Sequence, residues 1–193
     1  DDDQSAVEWF GLLSENDRVS TGKRRAFSDG RINDAPYPVP KGWAFFRLGA
    51  ITDKIGSGST PRGGREVYVK DGVTFLRSQN VWNDGLRLHD VVCILPEVHK
   101  RMEGSAVHAK DILLNITGAS LGRCALVPDQ IGEMNVSQHV TIVRPRDSRI
   151  RRYLHLCMLS PYVQSMVWGR QVGMAREGLS KKVLEQFEIP LPP

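Results

Sequence analysis

A chain of 193 residues is long enough for one substantial hydrophobic core, and 40% hydrophobic with 25% charged residues is ordinary for a globular fold. No apolar run approaches the ~20 residues that span a bilayer, and three cysteines at wide, irregular spacing point away from a disulfide framework and towards a reducing cytoplasm. The formal charge of +4 hides an asymmetry: residues 1–21 hold six acids against one base, which leaves +9 on residues 22–193. Such a balance suits a polyanion, nucleic acid first, although scattered solubilising charges would give the same total.

In chain order, the start "DDDQSAVEWF" lacks the basic and apolar pattern of a signal peptide, and residues 4–15 predict a short helix with Val7, Phe10 and Leu13 on one stripe. From Arg18 to Pro40 there is no period, with prolines at 36, 38 and 40, so residues 1–35 are expected to be an acidic helix and linker. The body of the domain is assigned to residues 36–193, with folded structure expected from about Gly42.

"WAFFRLGAI" predicts a strand entering a helical turn, and "GSGSTPRGGR" a loop that lacks the terminal Gly-Lys-Ser/Thr of a phosphate-binding P-loop. "GVTFLRSQNV" alternates Val73 and Phe75 against Thr74 and Leu76, as a strand does. A turn is expected at Asn83-Asp84-Gly85 and a helical turn at 97–102. Short strands fill "ILLNITGASLGRCALVPDQIGEMNVSQHVTIVRP", where Asn115, Gly118, Gly122 and Asn135 read as turn formers. Ile150, Tyr153, Leu154, Cys157 and Met158 mark one buried helix face, with Arg149, Arg151 and Arg152 outside it. Ser160-Pro161 begins a second helix and Ser180 a third, before a final strand in "FEIPLPP".

Catalytic patterns are missing. The histidines at 89, 99, 108, 139 and 155 have no metal-ligand spacing, and nothing implies a cofactor. A nucleophile would have to be Cys124 or a serine served by His139, yet "RCALV" reads as strand and no nucleophile elbow is present. Asp111, Glu133 and Glu177 have no partner carboxylate, and the Asn/Asp-Pro-Pro-aromatic motif of an adenine methyltransferase is absent.

What remains is a set of polar side chains at strand ends: Arg77, Asn80, Arg123, Gln138, His139 and Gln171. These types suit DNA, because arginine can pair with guanine O6 and N7, and asparagine or glutamine with adenine N6 and N7.

The segments "PYPVPKGWAFFRLGAI", "GSTP", "FLRSQNV", "DILLNITGASLGRCALVP", "NVSQHVTIVRP", "REGLS" and "FEIPLPP" occur in series over residues 36–193. In order and spacing they resemble a target recognition domain from the specificity subunit of Type I restriction-modification enzymes. The resemblance implies an α/β (α+β) fold, a curved mixed sheet with flanking helices that presents loops to double-stranded DNA. It implies a non-catalytic domain that reads half of a split site, while methyltransferase and restriction subunits modify and cleave. Two departures stand out: the chain stops at Pro193, where the family's long spacer helix should begin, and its acidic start matches nothing in the domain. The expectation is therefore an excised first domain. The alternatives are the same module fused to the end of an adenine methyltransferase, an enzyme using Cys124 and His139, or a protein-interaction module without DNA binding.

Motifs shared by domains that read different sequences should build scaffold or hold phosphates, which covers "NITGASLGRC" and "NVSQH". Base readers are then expected in the divergent stretches, at Arg62, Arg65, Trp82, Asn83, Arg87, His99, Lys100, Arg101, Gln171 and Arg176.

Overall fold

A computed structural model describes residues 30–172 and 179–193. In chain order the strands are β1 (Arg31–Ile32), β2 (Ala44–Arg47), β3 (Thr52–Ser57), β4 (Tyr68–Val69), β5 (Val73–Leu76), β6 (Val81–Trp82) and β7 (Gly85–Leu86). They continue with β8 (Val92–Ile94), β9 (Ala106–Val107), β10 (Ile112–Asn115), β11 (Cys124–Leu126), β12 (Met134–Val136), β13 (Val140–Pro145) and β14 (Glu188–Leu191). The α-helices among the described residues are α1 (Pro96–Arg101), α2 (Arg151–Leu159), α3 (Pro161–Val172) and α4 (Lys181–Glu185). None is long and apolar enough to cross a membrane.

The mixed α+β class agrees with expectation, with the strands divided among sheets ordered β1-β2-β14, β11-β10-β13-β3, β4-β8-β5-β12-β9 and β6-β7. All pairings are antiparallel except β5 with β12. The four-stranded sheet is buried on both faces. Ile112, Leu114 and Val143 face a core built with α2, α3, α4 and the three-stranded sheet, while Leu113, Ala125 and Ile142 face Leu76, Met134 and Val136 of the five-stranded sheet. A strand covered on both sides needs a continuous apolar run, which is why "ILL" does not alternate. Each of these side chains except the small Ala125 contributes about 1.5–3 kcal/mol by leaving water. On the far side of the five-stranded sheet, Val98 and Met102, in and after α1, pack on Val73, Phe75 and Ile94.

The helix signals read from the sequence hold. Leu154 and Met158 of α2 are buried, with Ile150, Tyr153 and Cys157 packed beside them. Ser160 Oγ accepts the Val163 amide at 3.3 Å, and Ser180 caps α4 in the same way at 3.4 Å. One expectation needs correction. Arg31–Ile32 pairs with Phe45–Phe46, so folded structure begins before Gly42 and takes in part of the segment read as a linker. Arg151, outside the buried face as expected, donates its guanidinium to Asp129 at 2.8 Å. The helix expected over residues 4–15 lies outside the described residues.

Candidate nucleic-acid interface

Four connections gather at one end of the two larger sheets, and strand direction is the reason. Because β5 and β12 are parallel, the chain leaves both at the same end, into residues 77–80 and 137–139. Ser137 N–H donates to Leu76 O at 2.9 Å, which binds those exits together. The end of β10 is brought to the same place by its pairing with β13, where Asn115 lies opposite Val140. Gly58, just beyond β3, donates its N–H to Val140 O at 3.1 Å. A Cβ on Gly58 would stand 1.7 Å from Val136 O, so only glycine lets this loop pass.

Side-chain amides lock the connections. Asn115 Nδ2 donates to Ser78 O at 2.8 Å, and Asn80 accepts the Arg77 N–H at 3.0 Å while donating to Arg87 O at 2.9 Å. Asn83 Oδ1 accepts the Cys124 N–H at 3.0 Å, tying the tip of the β6–β7 hairpin to β11. Gly118 and Gly122, at φ +68° and +81°, turn the chain between β10 and β11.

On this frame the cationic and aromatic side chains are interleaved. The Arg123 guanidinium carbon lies 3.8 Å from the Trp82 ring centroid, and that of Arg87 lies 5.7 Å from the same ring. Trp82 is 38% exposed and donates its indole N–H to Gln79 O at 2.9 Å. Arg87 also donates to both oxygens of Asp84, at 2.8 and 2.6 Å, and this bond holds the Asp84 carboxyl below the usual carboxylate range. Arg77 lies over Tyr68 at 5.7 Å. Thr117 Oγ1 and Gln138 Nε2 bracket the exposed His139 ring at 2.8 and 3.4 Å. Arg77 Nε, Asn115 Oδ1 and Ser137 Oγ are buried without a hydrogen-bond partner among the described residues, and all three belong to this end of the sheets. Unpaired buried polar atoms cost free energy, and these three are available to a ligand that reaches this end. Chemically, the end offers arginine donors and exposed amide and imidazole groups to an acceptor-rich ligand.

The expected site residues divide into groups. Arg77, Trp82, Asn83, Arg87, Arg123, Gln138 and His139 come together here, and Arg62 is exposed on the loop that follows β3. His99, Lys100 and Arg101 sit apart on α1, where His99 Nδ1 lies 3.1 Å from Asn135 Nδ2. The side chains of Arg65 and Gln171, and the whole of Arg176, lie outside the described residues.

Several readings change. Asn80 is 2% exposed with its amide spent on backbone, which removes it from any reading surface, and the Asn83 carbonyl is spent on β11. Asn115 and Asn135 are not turn formers but fully buried strand residues that bond across 37 and 33 positions. Cys124 is buried in β11, burial pushes its thiol pKa up, and its carbonyl meets His155 Nε2, not His139, so the nucleophile alternative fails. The described residues contain no cluster of His, Cys, Asp or Glu able to hold a metal. Sequence reasoning missed Tyr68 and Thr117, whose roles depend on partners 9 and 22 positions away.

Residues 40–193 match the family model described as the Type I restriction modification DNA specificity domain. The chain belongs to that family. Over 126 residues it is 31% identical to the Type I restriction enzyme EcoBI specificity subunit of Escherichia coli, covering 64% of this chain and 26% of that protein. The fold is similar to that of the HsdS subunit from Thermoanaerobacter tengcongensis, with a TM-score of 0.60, 20% identity and coverage of 97% of this chain and 40% of that one. A chain from a structure of type I R-M complex assembly and conformational transition gives a TM-score of 0.60 at 22% identity, covering 97% and 41%. The S subunit from M. genitalium gives 0.53 at 16% identity, covering 78% and 34%. The specificity domain therefore spans about a quarter of the curated relative and about two-fifths of the first two solved chains. These relatives are specificity subunits, which lends no support to the methyltransferase-fusion alternative.

Proposed function

We propose that this specificity domain reads one half of a bipartite double-stranded DNA site, docking the loop ends of its two larger sheets onto the duplex. The observation that carries the reading is the Arg87–Trp82–Arg123 cluster on a frame locked by side-chain amides. Arginine planes held by an aromatic ring suit recognition of flat, acceptor-rich base edges and phosphates. The charge of +9 on residues 22–193 favours a polyanion and supplies the sequence-independent attraction. Arg62, Arg77, Gln138 and His139 are the additional contacts proposed at this end, with His99, Lys100 and Arg101 as a second patch on α1. Methyltransferase and restriction subunits would supply the chemistry that this domain lacks. The three free cysteines support a reducing, cytoplasmic setting.

The test is selection from a randomised duplex library over a salt series, with the retained fraction sequenced. The expected result is one short enriched motif of about three to five base pairs, with affinity falling steeply as salt rises. Retention without a motif would reduce the domain to a basic scaffold, and no retention would favour the protein-interaction alternative.

A further inference from the structure

We infer that Arg123 reads a guanine edge and that Trp82 is the residue that positions it, an assignment that rests on the DNA-reading role proposed above. Arg123 lies in "LGRC", a motif of the recurrent kind, whose residues would otherwise be assigned to scaffold or phosphate contacts. Its geometry argues for more than that. The backbone is fixed on both sides, since Arg123 N–H donates to Ser120 O at 3.1 Å and Arg123 O accepts the Asn115 N–H at 2.9 Å. The side chain makes no hydrogen bond or ion pair with the described residues, and its one close partner is the Trp82 ring at 3.8 Å. Stacking uses the face of a guanidinium and leaves the N–H donors around its edge unspent. A fixed plane with an unspent fork is the arrangement that matches guanine O6 and N7.

The neighbouring arginines differ in ways that single out Arg123. Arg87, on the same ring at 5.7 Å, already spends its fork on the Asp84 carboxylate. Arg77 stands over Tyr68 with its Nε buried. Trp82 itself is held by its indole N–H on Gln79 O, and the next residue, Asn83, fastens the hairpin to the amide of Cys124, the residue that follows Arg123. The hairpin thus positions an arginine supplied by the turn before β11.

The experiment is the library selection repeated on the full-length protein that carries this chain, with Arg123→Lys, Trp82→Ala and Trp82→Phe. Matched thermal melting of the variants controls for folding. Arg123→Lys keeps the charge and loses the planar fork. It should lower discrimination for guanine at a single motif position by about 5- to 150-fold, the range of one bidentate base contact, and leave the other positions unchanged. Trp82→Ala should relax the same position, and Trp82→Phe, which restores an aromatic face, should recover part of the loss. A merely structural role for Trp82 would lower affinity across all positions and would not single out the one that Arg123 controls. Uniform loss from Arg123→Lys with the motif intact makes Arg123 a phosphate contact and overturns the assignment alone. A wild-type protein that enriches no motif overturns the DNA-reading role, and this assignment with it.

Discussion

Arg123, on the turn before β11, and Arg101, at the end of α1, carry the same guanidinium, but the fold fixes only the first. Around Arg123 the chain is tied by asparagine amides, its guanidinium lies over Trp82, and three buried polar atoms nearby lack partners among the described residues. Around Arg101 the order stops at the inner face of a six-residue helix, where His99 meets Asn135, while Lys100 and Arg101 are exposed and make no hydrogen bond or ion pair with the described residues. Donors held in one plane can discriminate between base edges, whereas donors on long free side chains add attraction that every sequence shares. The two patches are therefore expected to divide the work of binding into selectivity and affinity.

The largest effect should come from detaching the second patch from the core. Asp111 is 1% exposed and accepts Arg144 Nε and Nη2 at 2.7 and 2.9 Å, together with the His108 N–H at 2.7 Å. Lys54 Nζ adds a bond to Gly104 O at 2.6 Å. Asp111→Ala strands the Arg144 cation and should cost about 3–5 kcal/mol in denaturant unfolding. Amide exchange should quicken through residues 103–111 and stay slow in β6 and β7. Equal acceleration in both regions would show that they are not separate units.

The two buried asparagines sharpen the contrast. Asn135 is satisfied at both ends of its amide, by Met102 O and His99 on one side and by Ser105 Oγ and Val136 N on the other. Asn115 uses its nitrogen on Ser78 O, but its Oδ1 has no partner. Asn135→Ala should cost about 2–3 kcal/mol and Asn115→Ala about 1, because the second substitution also removes an orphaned oxygen. The reverse order in chemical denaturation would mean that the Asn115 oxygen is satisfied in solution.

Lys100→Ala and Arg101→Ala come next in size. Each should weaken DNA binding on the order of tenfold at low salt, reduce the slope of log affinity against log salt by about 1, and leave the selected motif unchanged. A change of motif from either variant would erase the division between the patches.

What the sequence made legible follows from the range of the interactions. The face of α2, the Ser160 and Ser180 caps and the Asn83-Asp84-Gly85 turn rest on contacts within a few residues, and each is as expected. Asn115 and Asn135 were misread as turn formers because their partners stand 37 and 33 positions away, so no local pattern separates them from loop asparagines. The two-residue β1 has no period to detect and exists through its pairing with Phe45 and Phe46. At the candidate interface the sequence supplied the residue types. It did not show that Asn80 turns inward or that the Arg123 guanidinium lies over Trp82, 41 positions away.

The smallest expected effect tests the electrostatics of the hairpin tip. Asp84 places a carboxylate among arginines, and the hydrogen bond from Arg87 holds that carboxyl below the usual carboxylate range, so its negative charge opposes a phosphate backbone at neutral pH. Asp84→Asn removes that charge and loosens Arg87 while leaving the Asn83 tie to β11 untouched. Affinity should rise on the order of fivefold at low salt, the effect of one unit charge a few ångströms away in water. The gain should vanish near 1 M salt, where the screening length falls to about 3 Å. Because Arg87 reaches the ring only at 5.7 Å, releasing it should not create a second fixed plane, and the motif should stay as it was. A new selected base after Asp84→Asn would instead show that the carboxylate had been withholding a second reader, and that Trp82 can orient an arginine at each of these distances.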